Sequence, residues 1–143
     1  KVKEIVRHLV RNKIPVLGHI GVTPQTTKGK FKSKGKTETE KKKLIYDAKV
    51  LEQSGAFGIV LECIYSDISK KITNLIKIPT IGIGASIHCD GQVLVTDDIL
   101  GLTNAKIKFV KKYTKIKKII NSAAFKFKQE VKSKKYPTKK YSY

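Results

Sequence analysis

Two side chains able to carry protons stand where strands should end. In Ile14-Pro15-Val16-Leu17-Gly18-His19-Ile20-Gly21-Val22-Thr23-Pro24-Gln25, an apolar stretch reaches a histidine flanked by glycines, and a Thr-Pro turn follows. In Phe57-Gly58-Ile59-Val60-Leu61-Glu62-Cys63, a second apolar stretch ends on a carboxylate. A third, Ile78-Pro79-Thr80-Ile81-Gly82-Ile83-Gly84-Ala85, ends in glycines. An imidazole and a carboxylate at neighbouring strand ends are the parts of general acid–base chemistry. Gly82 and Gly84 leave the main chain bare, so that a ligand or a neighbouring backbone can come close. Together the three ends read as the rim of an active site, with His19 and Glu62 facing one ligand. Taken singly, each residue has a plainer reading: Glu62 as a loop cap or the partner of a lysine, and His19 as a structural side chain.

The segments between these ends are of the kind that would position them. Val2, Ile5, Val6, Leu9 and Val10 fall on one face of an opening helix, which Pro15 blocks. The first strand is expected from Val16 to His19. Thr37 or Thr39 can cap the next helix, whose apolar face is Leu44, Ile45, Ala48 and Leu51, with Gly55 as its stop. A second strand is expected from Gly58 to Glu62. Ser66 or Asp67 then caps a short helix carrying Ile68, Ile72, Leu75 and Ile76. The third strand opens at Ile78-Pro79 and runs through Ile83. A fourth is expected from Gln92 to Thr96. The last forty residues read as helical, with Ile116, Ile119, Ile120, Ala123, Ala124, Phe127 and Val131 at helical spacing, before a loose basic tail. Residues 1–132 therefore form one α/β unit and residues 133–143 the tail. Alternating strands and helices imply a parallel sheet with helical crossovers. Four such units are half of an eight-fold barrel, which needs about 250 residues. The sequence holds neither a complete Gly-x-Gly-x-x-Gly fingerprint nor a phosphate-binding loop.

Composition narrows the partners. The net charge is +20, but 29 of the 31 basic residues are lysine, and Arg7 and Arg11 are the remainder. Recognition of bases and phosphates favours arginine, and these lysines are spread rather than gathered into a stripe with aromatics. A solvated lysine-rich surface is expected, with a nucleic-acid-binding module as the alternative. Cys63 and Cys89 form neither a disulfide framework nor a Cys-x-x-Cys pair, which points to a reducing, cytoplasmic compartment. No apolar run reaches the length of a membrane span. Methionine is absent and a helical pattern is already running at Val2, so the chain is expected to be a piece of something longer.

Four blocks resemble one family in order and spacing. They are Gly18 to Gln25, Val60-Leu61-Glu62-Cys63, Ile78 to Ala85 and Cys89-Asp90-Gly91-Gln92-Val93-Leu94-Val95. Asp47-Ala48, Leu51-Glu52, Gly55-Ala56 and Lys108-Phe109-Val110-Lys111-Lys112-Tyr113 match as well. The family is ketopantoate hydroxymethyltransferase, and the resemblance runs from about Lys1 to Tyr136. It implies the carboxyl-terminal half of a (β/α)8 TIM barrel of the phosphoenolpyruvate/pyruvate type. It implies transfer of a hydroxymethyl group from methylenetetrahydrofolate to α-ketoisovalerate, giving ketopantoate for pantothenate and coenzyme A synthesis. A Mg2+ ion chelating the keto acid is implied too, with ligands in an amino-terminal half that this chain lacks. That half is an implied partner, and a homo-oligomer is expected. On this resemblance Glu62 is the catalytic proton acceptor and His19 binds substrate, while no residue here inherits a metal-ligand role. An inactive truncated product with a structural role is the remaining alternative.

The match has departures. The segment Lys28-Gly29-Lys30-Phe31-Lys32-Ser33-Lys34-Gly35-Lys36 has lost one glycine of the family's usual pair, and Ser86 replaces a further one. Asp90 with Gly91 reads as a turn. Asp97 and Asp98 are read as stabilising a following helix start. His8 and His88 have no second ligand at metal spacing, and nothing marks Cys63 as a nucleophile.

Overall fold

The computed structural model describes residues 2–23, 32–104 and 106–143. It contains two compact units, Lys1–Val93 and Leu94–Tyr143. The first comprises α1 (Val2–Arg11), β1 (Leu17–Gly21), α2 (Glu38–Gln53), β2 (Gly58–Glu62), α3 (Ser66–Leu75), β3 (Thr80–Ile83) and β4 (Gly91–Gln92). The four strands form one parallel sheet in the order β1-β2-β3-β4. This is an α/β architecture, half of a (β/α)8 barrel.

Side-chain alternation divides the sheet into two faces. Gly18, Ile20, Ile59, Leu61, Thr80 and Gly82 share the buried one. Ile59 and Leu61 have no exposed surface, and they join Leu44, Ala48, Leu51, Ile68 and Ile72 of the helices in a single core. That pattern follows from the helices' apolar stripes, which have nowhere else to go. The opposite face carries Leu17, His19, Val60, Glu62, Ile81 and Ile83 and is only partly buried; Leu17 is 42 % exposed.

The helix signals act largely as their chemistry requires. Thr37 caps α2 in a reciprocal box: its hydroxyl accepts from the Glu40 amide at 3.2 Å, while Glu40 Oε2 accepts from the amides of Gly35, Lys36 and Thr37. Gly55 follows the helix in the left-handed region at φ 92°. Neither Ser66 nor Asp67 caps α3. Tyr65 holds that position without a side-chain bond, and the Ser66 hydroxyl donates to Ser86 Oγ at 3.2 Å.

The fourth strand is shorter than expected. It spans Gly91–Gln92, and the Val93 amide donates to the Gly82 carbonyl. In the second unit α4 (Thr96–Ile99) begins where the strand was expected to continue, with the Val95 carbonyl accepting from the amides of Asp98 and Ile99. Asp97 and Asp98 occupy its first turn, where negative charge favours helix over strand. Asp98 is buried and accepts a 2.5 Å hydrogen bond from the Thr103 hydroxyl. The last forty residues are not one helical stretch. α4 ends at Ile99, with Gly101 beyond it at φ 69°, and α5 spans Ile116–Lys132; the Tyr113 and Ile116 amides donate to the Ile99 and Leu100 carbonyls. The α5 residues Ile119, Ile120, Phe125, Phe127 and Val131 are exposed. Beyond α5, the Tyr136 ring meets Phe127 edge-on and stacks on Tyr141, within a tail that ends in a 3-10 turn at Lys139–Tyr141.

Asp90 is more than a turn residue. Its Oδ2 accepts from the Thr80 amide at 2.8 Å and from the Thr80 hydroxyl at 2.9 Å, tying the start of β4 to the start of β3. These donors hold the Asp90 carboxyl below the ordinary carboxylate value. A depressed folded-state value stabilises the fold above the unfolded value of about 4, and the gain disappears as pH falls through the folded value. Urea titrations should therefore show Asp90→Asn less stable than the parent at pH 7, with the gap narrowing progressively below about pH 4. A gap of constant size across that range would assign the effect to something other than this carboxylate.

Candidate active site

Parallel pairing brings the carboxyl ends of β1, β2 and β3 to one edge. In the register Leu17 pairs with Gly58, His19 with Val60 and Gly21 with Glu62, while Glu62 pairs in turn with Ile83. His19 and Glu62 thus project from the same face, two residues apart along the strands, or about 7 Å of rise. The imidazole spans that step. His19 Nε2 lies 3.2 Å from Glu62 Oε2 and 2.8 Å from the Val22 carbonyl oxygen. The His19 side chain is 32 % exposed and that of Glu62 14 %, so the carboxylate lies deeper than the ring.

The turn after β1 sets this geometry. Gly21 has φ 103°, in the left-handed region that side chains rarely adopt. A Cβ there would fall inside contact distance of the Glu62 carbonyl oxygen and 2.8 Å from Ile64 Cγ1. With no Cβ present, the Val22 amide donates to the Glu62 carbonyl at 2.9 Å and extends the ladder past the strand end. Val22 itself is 1 % exposed.

The chain bends again after Glu62. Cys63 has φ 52°, its amide donates to the Ile83 carbonyl at 2.8 Å, and its carbonyl accepts from Lys34 at 2.8 Å. This strained conformation, at a residue other than glycine, is held by bonds on both sides of the peptide. Lys34 also bridges to Ile64, so the segment leading into α2 lies beside the exit of β2. Burial, and then the charge of Glu62, push the Cys63 thiol up, which makes it a poor nucleophile.

The third strand end contributes backbone. Gly84 turns at φ 58°. Gly82 lies on the buried face, where a Cβ would meet the Gln92 side chain at 2.7 Å, so its bare backbone serves packing. Gln92 Nε2 in turn donates to the Ser86 carbonyl at 2.7 Å. Ser86 is buried, and its hydroxyl accepts from Ser66 and from the His88 amide. His8 lies on α1 and His88 in the loop after β3. Pro24, Gln25 and residues 28–31 of the lysine-rich segment lie outside the described residues.

Among the described residues, no three His, Cys, Asp or Glu side chains stand close enough to hold a metal ion. No helix among them is long and apolar enough to cross a membrane, and both cysteines are free thiols.

Residues 1–139 match the family model for ketopantoate hydroxymethyltransferase. The chain belongs to that family. It is similar to 3-methyl-2-oxobutanoate hydroxymethyltransferase of Pelagibacter ubique, at 57 % identity across 100 % of this chain and 55 % of the relative. The enzyme of the same name from Francisella tularensis subsp. novicida is 48 % identical over 98 % of this chain and 54 % of its own length. That of Clostridium botulinum is 48 % identical over 99 % and 53 %. The chain spans about half the length of the curated relatives it matches.

Reasoning from the sequence placed His19 and Glu62 on one rim and missed what joins them. The Val22 carbonyl carried no chemical signal, being backbone. Gly21 did, as a glycine between two β-branched residues two positions after the candidate histidine. Alkylation at pH 8, followed by peptide mapping, should label Cys63 more slowly than a free thiol. Glu62→Gln should speed that labelling, since it removes the charge that opposes the thiolate; an unchanged rate would separate the two groups electrostatically.

Proposed function

We propose that this chain is the catalytic-base half of a ketopantoate hydroxymethyltransferase, moving a hydroxymethyl group from methylenetetrahydrofolate to α-ketoisovalerate. The observation that carries the reading is the 3.2 Å approach of His19 Nε2 to Glu62 Oε2 at the carboxyl edge of a parallel sheet, in a chain of this family. In β/α barrels that edge is where chemistry is done. Glu62 takes a proton from the carbon beside the ketone, and that carbon bonds to the one-carbon unit as the unit's two carbon–nitrogen bonds to the folate break; water supplies the hydroxyl oxygen, and the folate nitrogens take up the substrate's proton and one from the water. His19 holds the carboxylate in place and hydrogen-bonds to the hydroxyl of the hydroxymethyl product. The magnesium ion of the family belongs, in this reading, to residues outside this chain.

The second face of the sheet supports a partner. Parallel sheets are stable when both faces are covered. Here Leu17, Val60, Ile81 and Ile83 lie beside the two polar side chains on a face that is only partly buried. The occupant proposed is the amino-terminal segment that the longer relatives possess, with self-association of the assembled subunits beyond that.

Co-expression of this chain with the amino-terminal segment of the Pelagibacter ubique relative should yield ketopantoate formation. Glu62→Gln should then lower turnover by about 100-fold or more, the scale of a lost acid–base group; unchanged turnover would remove Glu62 from the chemistry. By sedimentation, the chain alone should self-associate through its half-covered sheet, and a well-dispersed monomer would contradict the covering partner.

A further inference from the structure

We infer that Gly21 and the Val22 carbonyl are positioning residues that lock the neutral His19 ring in the Nε2–H tautomer, so that His19 serves Glu62 as a hydrogen-bond donor and not as a proton acceptor. The catalytic meaning of this rests on the proposed reading of Glu62 as the base; the tautomer itself does not.

A backbone carbonyl oxygen only accepts hydrogen bonds. The Val22 oxygen lies 2.8 Å from His19 Nε2, so in a neutral ring that nitrogen must carry the hydrogen. Glu62 Oε2, 3.2 Å from the same nitrogen, is a second acceptor on the same side. Two acceptors face one nitrogen, and both favour the same tautomer. Nδ1 is then the ring's acceptor.

The Val22 carbonyl is held in position at two points. Its residue is pinned on one side by the amide bond to the Glu62 carbonyl at 2.9 Å, and its side chain is buried at 1 % exposure. On the other side, the left-handed backbone at Gly21 redirects the peptide that follows, and the carbonyl three residues after His19 lies against the ring. An alanine there would drive its Cβ into the Glu62 carbonyl and Ile64. Gly21 therefore acts on His19 and Glu62 through Val22 without touching either reacting group with a side chain.

A mechanistic consequence follows. A neutral ring already protonated on Nε2 cannot take a second proton there from Glu62. Transfer from Glu62 into His19 through Nε2 is closed while the ring is neutral. Oε2 is the carboxylate oxygen engaged by His19, which leaves Oε1 as the oxygen for substrate. The proton that Glu62 gains must leave by another route, to solvent or to the departing folate.

The tautomer can be read directly by long-range proton–nitrogen correlation on the chain labelled with 15N-histidine, at a pH high enough for neutral rings. His19→Gln identifies the His19 signals by their loss. The expected spectrum shows widely separated ring nitrogens in the pattern of the Nε2–H form. The Nδ1–H pattern, or a fast-averaged mixture, would overturn the inference. Glu62→Gln should leave the Nε2–H form in place, because Val22 still accepts; losing it would assign the lock to Glu62 instead. Gly21→Ala should collapse the separation toward the averaged value of a free imidazole, and a folded Gly21→Ala chain with an unchanged pattern would remove Gly21 from the role. If Gly21→Ala does not fold, the parent and Glu62→Gln spectra still decide the tautomer. These results are independent of turnover: an inactive Glu62 assignment with an intact Nε2–H pattern would sink the functional reading alone.

Discussion

The pairing of β1 with β2 is the constraint on which the rest depends. Gly21 stands opposite Glu62 in the parallel register, and the bond from the Val22 amide to the Glu62 carbonyl continues that register past the last strand residue. A slip of one residue would move every side chain of β1 to the other face, burying His19 under the helices and turning Ile20 outward. The closeness of imidazole and carboxylate is thus a property of main-chain hydrogen bonding before it is one of side-chain chemistry.

The two faces of the sheet divide the work. The helix-facing side is mostly apolar, with Ile59 and Leu61 fully buried against the stripes of α2 and α3. The other side mixes aliphatic residues with His19 and Glu62 and stays partly open. Rigid packing on one face fixes the strand ends from which the polar pair projects on the other. Pre-organisation of this kind is what an acid–base site requires, since small displacements of a base from its target are costly.

The high positive charge contributes little to this frame. The ion pairs on α2, Lys41 with Glu38 and Lys43 with Asp47, are exposed neighbours one helical turn apart, of a class worth about 0.5 kcal/mol or less. The polar interactions that matter structurally are those with buried or backbone partners: the Thr37–Glu40 cap, the Asp90–Thr80 tie and the Ser66–Ser86 pair. Each fixes a loop that leads into or out of the strand ends.

Local signals in the sequence carried the parallel α/β pattern, the cap at Thr37, the stop at Gly55 and the shared rim of His19 and Glu62, because periodicity, capping chemistry and strand-end position are properties of neighbouring residues. The length of β4 and the extent of the last helix were not legible there. Val95 has a strand former's side chain, yet it is the cap of α4, whose first turn carries two aspartates, and the apolar spacing toward the carboxyl end did not reveal that α5 begins only at Ile116 and ends at Lys132. Composition decided the family of chemistry available, an imidazole and a carboxylate on strands with bare glycine turns. Only tertiary structure decided that Val22 turns its carbonyl onto His19 and that Cys63 takes a left-handed bend, since both depend on hydrogen bonds to β2 and β3 from residues some 20 to 40 positions away in the chain.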